Sequence, residues 1–127
     1  LVKDYGSQLH IFYGTDPFTE NWTPHYKNPV IFDSLKARNG GLITEEDAIY
    51  RTYQRQGFDM YGEGVGVSKI NVLTTSEYSE EMIFEAVPSF FKNIKGTHTY
   101  NFHRGLLVFD YCEITKIKNG LKTQKLD

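Results

Sequence analysis

The stretch Thr97-His98-Thr99-Tyr100-Asn101-Phe102-His103-Arg104 holds the densest set of reactive side chains in the chain. Drawn out as a strand, it puts His98, Tyr100, Phe102 and Arg104 on one face and Asn101 and His103 on the other. A histidine that moves protons, an arginine that holds phosphate and a tyrosine that donates a hydrogen bond are what metal-independent phosphodiester cleavage requires. Glu113, on the strand that follows, would complete an acid–base pair. The plainer expectation, a polar sheet face turned to water, has the stronger claim. His98 and His103 are five apart and fall on opposite faces, so a metal held by both is not expected, and no metal or other cofactor is assigned.

A second constellation is glycine-rich. Gly57, Gly62, Gly64 and Gly66 crowd into ten residues around Tyr61. Glycine collects where the backbone needs positive φ or approaches something closely, be it a ligand or another strand. A phosphate-binding fingerprint follows a strand and opens a helix, so that backbone N–H groups meet the anion. Here the expected order is the reverse, and no Gly-Lys-Ser/Thr follows, so phosphate is disfavoured. A third constellation, Phe18, Trp22, His25 and Tyr26, sits in the segment 14–29 with Pro17, Pro24 and Pro29. Proline at that density excludes a regular helix or a central strand. The aromatic side chains there either cover the domain's own core or meet a partner.

The elements that must position these groups follow from periodicity. Gln8–Tyr13 alternates as a strand, and Val30–Phe32 suits a short one. Asp33 and Ser34 would cap a brief helix over Leu35–Arg38, ended by Asn39-Gly40-Gly41. Thr44-Glu45-Glu46-Asp47 has the composition of a capped start to a second helix, closed by Gly57. Val65–Leu73 is strand-like with a phase change that predicts a β-bulge near Ser68-Lys69. Ile83, Val87, Phe90, Phe91 and Ile94 form an apolar stripe at helical spacing, predicting a longer helix over residues 76–95 that Pro88 kinks. Glu77, Glu80, Glu81 and Glu85 would then complement its N-terminal end. Thr97–Phe102 and Leu106–Lys118 are expected strands broken at Arg104-Gly105, and Asn119-Gly120 signals a hairpin. The fold class expected is therefore α+β: one domain over residues 1–127, a mainly antiparallel sheet packed on one longer helix and one or two shorter ones.

Composition narrows the functional classes. With 127 residues, 39% hydrophobic and 24% charged, the chain is globular, and its aromatic content of 15% favours amphipathic contact surfaces. The net charge of −2 lacks the basic patch that nucleic-acid binding needs. No apolar run approaches the ~18 residues of a membrane span, and no signal peptide is visible. A single cysteine, Cys112, excludes an internal disulfide and, among Val108, Phe109, Tyr111 and Ile114, is expected to be a buried inert thiol, which together favour an intracellular setting. Asn21-Trp22-Thr23 is a glycosylation sequon.

Tyr13-Gly14-Thr15, then Gly64-Val65-Gly66-Val67 and the late Glu113, resemble the ADP-ribosyltransferases, with Tyr13 and Val67 standing where that family has a histidine and a tyrosine. The resemblance implies NAD chemistry. The function expected first is nevertheless binding: a small soluble module, of accessory, inhibitor or immunity type or a subunit of a larger assembly, whose partner is another protein. Its contacts would be Phe18, Trp22, His25, Tyr26, Tyr61, Gly62 and Gly64. The alternative is a metal-independent enzyme, nuclease-like or ADP-ribosyltransferase-like, using His98, Tyr100, Arg104 and Glu113.

Overall fold

A computed structural model describes residues 2–4 (backbone only), 6–18, 20–57, 62–87, 89 and 92–113. Among them there is no helix, and the fold is built from antiparallel strands. The first sheet is centred on β2 (Gln8–Tyr13), the strand that its alternation predicts. It pairs with β1 (Val2–Asp4) on one side and with the short strands β3 (Thr23–Pro24) and β4 (Ile31–Phe32). Between β2 and β4 the proline-rich segment folds back along β2. The His25 and Val30 N–H groups donate to the carbonyls of Ile11 and Leu9, both at 2.9 Å. Asn28 acts as a surrogate strand residue: its side chain accepts from Ile11 N–H at 2.9 Å and donates to Ile11 O at 2.7 Å. Proline fits this edge because an edge residue need not donate to the ladder.

The central sheet is a four-stranded meander, β5 (Asn39–Glu45), β6 (Ala48–Arg55), β7 (Gly64–Leu73) and β8 (Tyr78–Ala86). It overturns the α+β expectation, since the predicted helices at 44–56 and 76–95 fall largely on strands. Acidic residues that resemble helix N-terminal charges are turn residues or ladder members. Glu46 and Asp47 make the two-residue connection between β5 and β6, with Glu46 at φ 51°. Thr74–Glu77 turns β7 into β8, where Thr74 Oγ1 accepts from Glu77 N–H at 2.8 Å. In place of the brief helix expected over Leu35–Arg38, Asp33 to Ala37 form a single turn: the Asp33 carbonyl accepts from Lys36 and Ala37 and its side chain accepts from Leu35 N–H. The apolar spacing that mimics a helical stripe is divided among β8, the segment after it and β9, with Phe90 and Phe91 outside the described residues. The bulge expected in β7 near Ser68-Lys69 lies elsewhere: β7 pairs regularly with β6 from Gly64 to Lys69, the extra residue opposite Val67 and Ser68 is Ile83 on β8, and the extra residue on β7 itself is Asn71, between Ile70 and Val72.

Strand pairing sorts the central sheet into two faces. Leu42, Arg51, Ser68 and Ile70 share one, and Ile43, Tyr50, Thr52 and Val67 share the other. The first face meets β2 of the first sheet, bringing Leu9, Ile11 and Tyr13 near Leu42, Arg51 and Ile70. The second meets the hairpin β10 (Tyr100–His103) and β11 (Leu106–Phe109), bringing Tyr100 and Phe102 near Ile43, Tyr50 and Val67. That hairpin turns at Arg104 and Gly105, both at positive φ (48° and 80°), as a right-handed ribbon twist requires. β9 (Ile94–Gly96) pairs with β12 (Cys112–Glu113). Cys112 is exposed there, so the expected buried thiol is corrected: among the described residues its short ribbon with β9 does not cover it. The Asn119-Gly120 hairpin lies outside the described residues.

The glycine cluster is explained by close approach of protein to protein. A Cβ on Gly66 would lie 2.0 Å from Tyr53 Cζ, since the fully buried Tyr53 ring crosses its paired residue on β7. A Cβ on Gly64 would lie 2.5 Å from Ala86 O, and one on Gly96 2.1 Å from Gly62 O. Gly66→Ala should therefore lower unfolding free energy by about 2–3 kcal/mol, the range of an overpacked core, measured by urea denaturation. Gly6→Ala, with open space around its Cβ position but φ at 83°, should cost only the smaller backbone strain of about 1 kcal/mol.

Candidate functional site

Where the first sheet leans on the central one, the two do not close completely. They leave a cleft of about 360 Å³ walled by Leu9, Ile11, Phe12 and Tyr13 on one side and by Leu42, Ile70, Leu73 and Tyr78 on the other. Thr74 and Thr75, from the β7–β8 turn, add hydroxyls at its margin, and Arg51 is the charged residue in its lining. Mostly apolar walls with a few convergent polar groups are the usual make-up of a small-molecule site.

Arg51 is 1% exposed. Its Nε donates to Glu80 Oε2 at 2.7 Å and its Nη2 to Glu80 Oε1 at 2.6 Å, a bidentate pair, while Nη2 also donates to Lys36 O at 3.0 Å. The Tyr78 hydroxyl donates to Glu80 Oε2, and the Arg51 guanidinium lies 5.1 Å from the centre of the Tyr53 ring. Burial alone would push the Glu80 carboxyl up, but the hydrogen bonds and charge of Arg51 outweigh it and hold the group below the ordinary range. Burial would push Arg51 down, and Glu80 reverses that too, so the net direction is up. Tyr78 is driven far up, first by burial and then by the Glu80 carboxylate, so it stays a phenol and a donor. Nη1 of Arg51, in contrast to Nε and Nη2, is buried without a protein hydrogen-bond partner.

A second polar group extends from the same β6 strand. The Tyr53 hydroxyl donates to Glu85 Oε1 at 2.9 Å, and Arg55 bridges Glu85 Oε2 at 2.7 Å and Glu63 Oε2 at 3.2 Å. Further along the chain, Asp110 organises the approach to β10. Its Oδ1 accepts the N–H groups of His98 at 3.0 Å and Thr99 at 2.9 Å, its Oδ2 faces His98 Nδ1, and its carbonyl accepts from Thr97 Oγ1 at 2.6 Å. Burial raises the Asp110 carboxyl, but those donors and the His98 ring prevail and the net shift is downward. The His98 ring rests against Gly62, whose imagined Cβ would come 3.0 Å from Cδ2.

The residues predicted from sequence are distributed as follows. His98 is joined to Asp110, whereas Tyr100 faces the central sheet beside Phe102, Arg104 is at the β10–β11 turn and Glu113 is in the β9–β12 ribbon. Along an extended chain His98 and Arg104 stand roughly 20 Å apart. In the proline-rich segment, Phe18 and Tyr26 are exposed, Trp22 is half-buried, and His25 is buried with Nδ1 accepting Lys27 N–H at 3.1 Å. Gly62 and Gly64 are buried, and Tyr61 lies outside the described residues. Sequence reasoning passed over Arg51, Tyr78, Glu80 and Asp110. The available signal was alternation: Ile49, Arg51 and Tyr53 fall on one face if 48–55 is a strand, as do Tyr78 and Glu80 in 78–86.

Residues 2–118 match the family described as glucosamine inositolphosphorylceramide transferase 1, N-terminal. The chain is 42% identical over 76 residues to glucosamine inositolphosphorylceramide transferase 1 of Arabidopsis thaliana, and 39% identical over 77 residues to the protein of that name from Oryza sativa subsp. japonica. Each alignment covers 58% of this chain and 10% of the relative, so the chain matches about a tenth of the length of these curated relatives. No solved structure matches significantly. The match replaces the expectation of a protein-binding module with kinship to the N-terminal part of a transferase.

Two outcomes follow from the buried pair. Arg51→Met strands Glu80 as an uncompensated buried charge and should cost about 3–5 kcal/mol in chemical denaturation, while Arg51→Met/Glu80→Met should cost clearly less. The folded Glu80 carboxyl titrates below its unfolded value near ~4.3. Its stabilisation is therefore complete above that value and lost as pH falls through the folded one. Unfolding free energy should decline from neutral to acid pH, and Glu80→Gln should flatten part of that decline; the remainder includes Asp110, which is shifted in the same direction.

Proposed function

Because the chain belongs to the glucosamine inositolphosphorylceramide transferase 1 N-terminal family, we propose that it serves as a ligand-recognition module of a glycosyl-transferring protein. The observation that carries this is the cleft between the first and central sheets. It combines apolar walls with a buried arginine, and it is built from residues of both sheets, so it exists only when the two are docked. The names of the curated relatives supply two chemical classes that such a cleft would meet, an amino sugar and an inositol phosphate headgroup.

The geometry favours recognition over the nuclease-like or ADP-ribosyltransferase-like alternatives. The four side chains that those mechanisms require are spread over the β10 approach, the hairpin turn and a separate ribbon, whereas bond-making chemistry needs them within hydrogen-bond reach of one reacting centre. The cleft, by contrast, gathers its polar groups on one ligand-sized volume.

The reading is tested on the isotope-labelled intact protein by NMR titration with glucosamine and with inositol phosphate. The expected result is that amide signals of Tyr13, Leu42, Thr74 and Thr75 move with at least one of the two, and that Leu73→Trp, which fills the cleft, abolishes the movement while the protein remains folded. Signals that stay fixed, or that move only at sites remote from the cleft, would rule the reading out.

A further inference from the structure

We infer that the groove between the central sheet and the β10–β11 hairpin is a second site, on the other face of that sheet from the cleft, and that it takes a small organic cation of the trimethylammonium type. The groove holds about 400 Å³ and is lined by Tyr50, Phe84, Tyr100 and Phe102, with Val67 beneath them and Glu45 as the charged residue in its lining. Backbone geometry brings each aromatic residue there. Tyr50 and Val67 share the sheet face that meets the hairpin. Alternation turns Tyr100 and Phe102 toward it: both are half-buried, whereas Asn101 and His103 are exposed. On β8, Ile83 is the extra residue between the pairs Phe84–Val67 and Met82–Ser68, and both Ile83 and Phe84 line the groove. Re-aiming a side chain is a common use of a bulge. The lining is open to a ligand, since Phe84 is 48% exposed, Glu45 is exposed, and Tyr50, Tyr100 and Phe102 each keep part of their surface.

The lining selects both the charge and its substituents. Aromatic faces carry negative potential and attract cations, more strongly as water is displaced. Glu45 adds a carboxylate, and Glu46 and Asp47 follow it in the β5–β6 turn, where they share a surface with Tyr50. An anion is repelled at that end. Lys69, opposite Tyr50 on β7, stands across from Glu81 on β8 and is not part of the groove lining. A metal ion is a poor fit: among the described residues no group of three acidic, His or Cys side chains is placed to hold one. A bare ammonium is compact and strongly hydrated, so it stays in water. A methylated ammonium has no N–H to satisfy and presents carbon to the rings, while its charge meets Glu45. The volume is that of a small-ligand site.

The test titrates the isotope-labelled intact protein with choline and with dimethylbutanol, its uncharged carbon isostere. Choline is expected to move the amide signals of Tyr50, Val67, Phe84 and Tyr100, and to bind at least about fivefold more tightly than the alcohol. Glu45→Gln, at an exposed position, should weaken choline about threefold and leave dimethylbutanol unchanged. Tyr100→Leu keeps an apolar wall but removes an aromatic face, and should weaken choline about fivefold. If that variant does not fold, Phe84→Leu on the half-exposed edge strand replaces it. Vesicles of phosphatidylcholine, compared with vesicles of phosphatidylglycerol, separate the two sources of the group. Loss of groove signals with phosphatidylcholine alone assigns a lipid headgroup, and a response to free choline without one to vesicles assigns a soluble cation; both results uphold the site. Equal binding of choline and dimethylbutanol would overturn the proposal. So would choline shifts confined to the cleft or absent altogether, or Glu45→Gln and aromatic-to-Leu variants that bind choline as before. None of these outcomes touches the reading of the cleft, which lies across the sheet and is probed with different compounds.

Discussion

The Arg51–Glu80 pair is the constraint to which the rest of the structure conforms. An arginine this deeply buried is tolerated only if a carboxylate meets it in good geometry, because breaking such a pair leaves a charge in a medium that cannot solvate it. Satisfying that condition fixes β6 and β8 relative to one another across the intervening β7. It also fixes the register of the bulged β7–β8 ladder, since a one-residue slip would turn Glu80 to the opposite face. Lys36 O, from the turn before β5, accepts from the same guanidinium, so the entry to the sheet is tied to its middle.

Small residues make that arrangement possible. Ser68, buried and directly opposite Arg51 on β7, leaves room for the guanidinium to reach past it, and Gly66 does the same for the Tyr53 ring that underlies it. The glycines around position 64 allow backbones to touch at the start of β7, where Ala86 O and the β9 strand come close. Glycine richness, often a mark of a ligand loop, here serves strand and ring packing. The cleft is lined instead by side chains of β2, β5, β6, β7 and β8 and of the β7–β8 turn.

The two faces of the central sheet have different chemistry. The face toward β2 carries the ion pair and the cleft; the face toward the β10–β11 hairpin carries Ile43, Tyr50, Val67 and Phe84. Asp110 holds the chain as it enters that hairpin, through backbone donors from His98 and Thr99, and so sets where Tyr100 and Phe102 meet the sheet. A histidine chosen for its potential reactivity is thereby part of the device that places the last layer. The family match covers nearly the whole chain, residues 2–118, so these packing relations and the cleft belong to the region that the family defines.

Local sequence determined the pieces whose chemistry is local. Alternation alone specified Gln8–Tyr13 and the β7 strand, because period-two burial leaves a direct trace in residue order. Arg104-Gly105 marked a break between strands because a tight hairpin needs positive φ at adjacent residues. The strands β6 and β8 were not legible in this way. Their inward positions are held by Arg51, Glu80 and Glu85, so the face that should read as apolar reads as charged, and the acidic residues imitate a helix N-terminus. Ile83, Val87 and Ile94 add a coincidental helical spacing. Only tertiary structure could decide between those alternatives, because the partner that makes Glu80 an interior residue lies twenty-nine positions earlier in the chain. The cleft was likewise beyond reach of sequence: it is the gap left where two separately formed sheets dock, and its one charged lining residue becomes recognisable only when its neighbours across that gap are known.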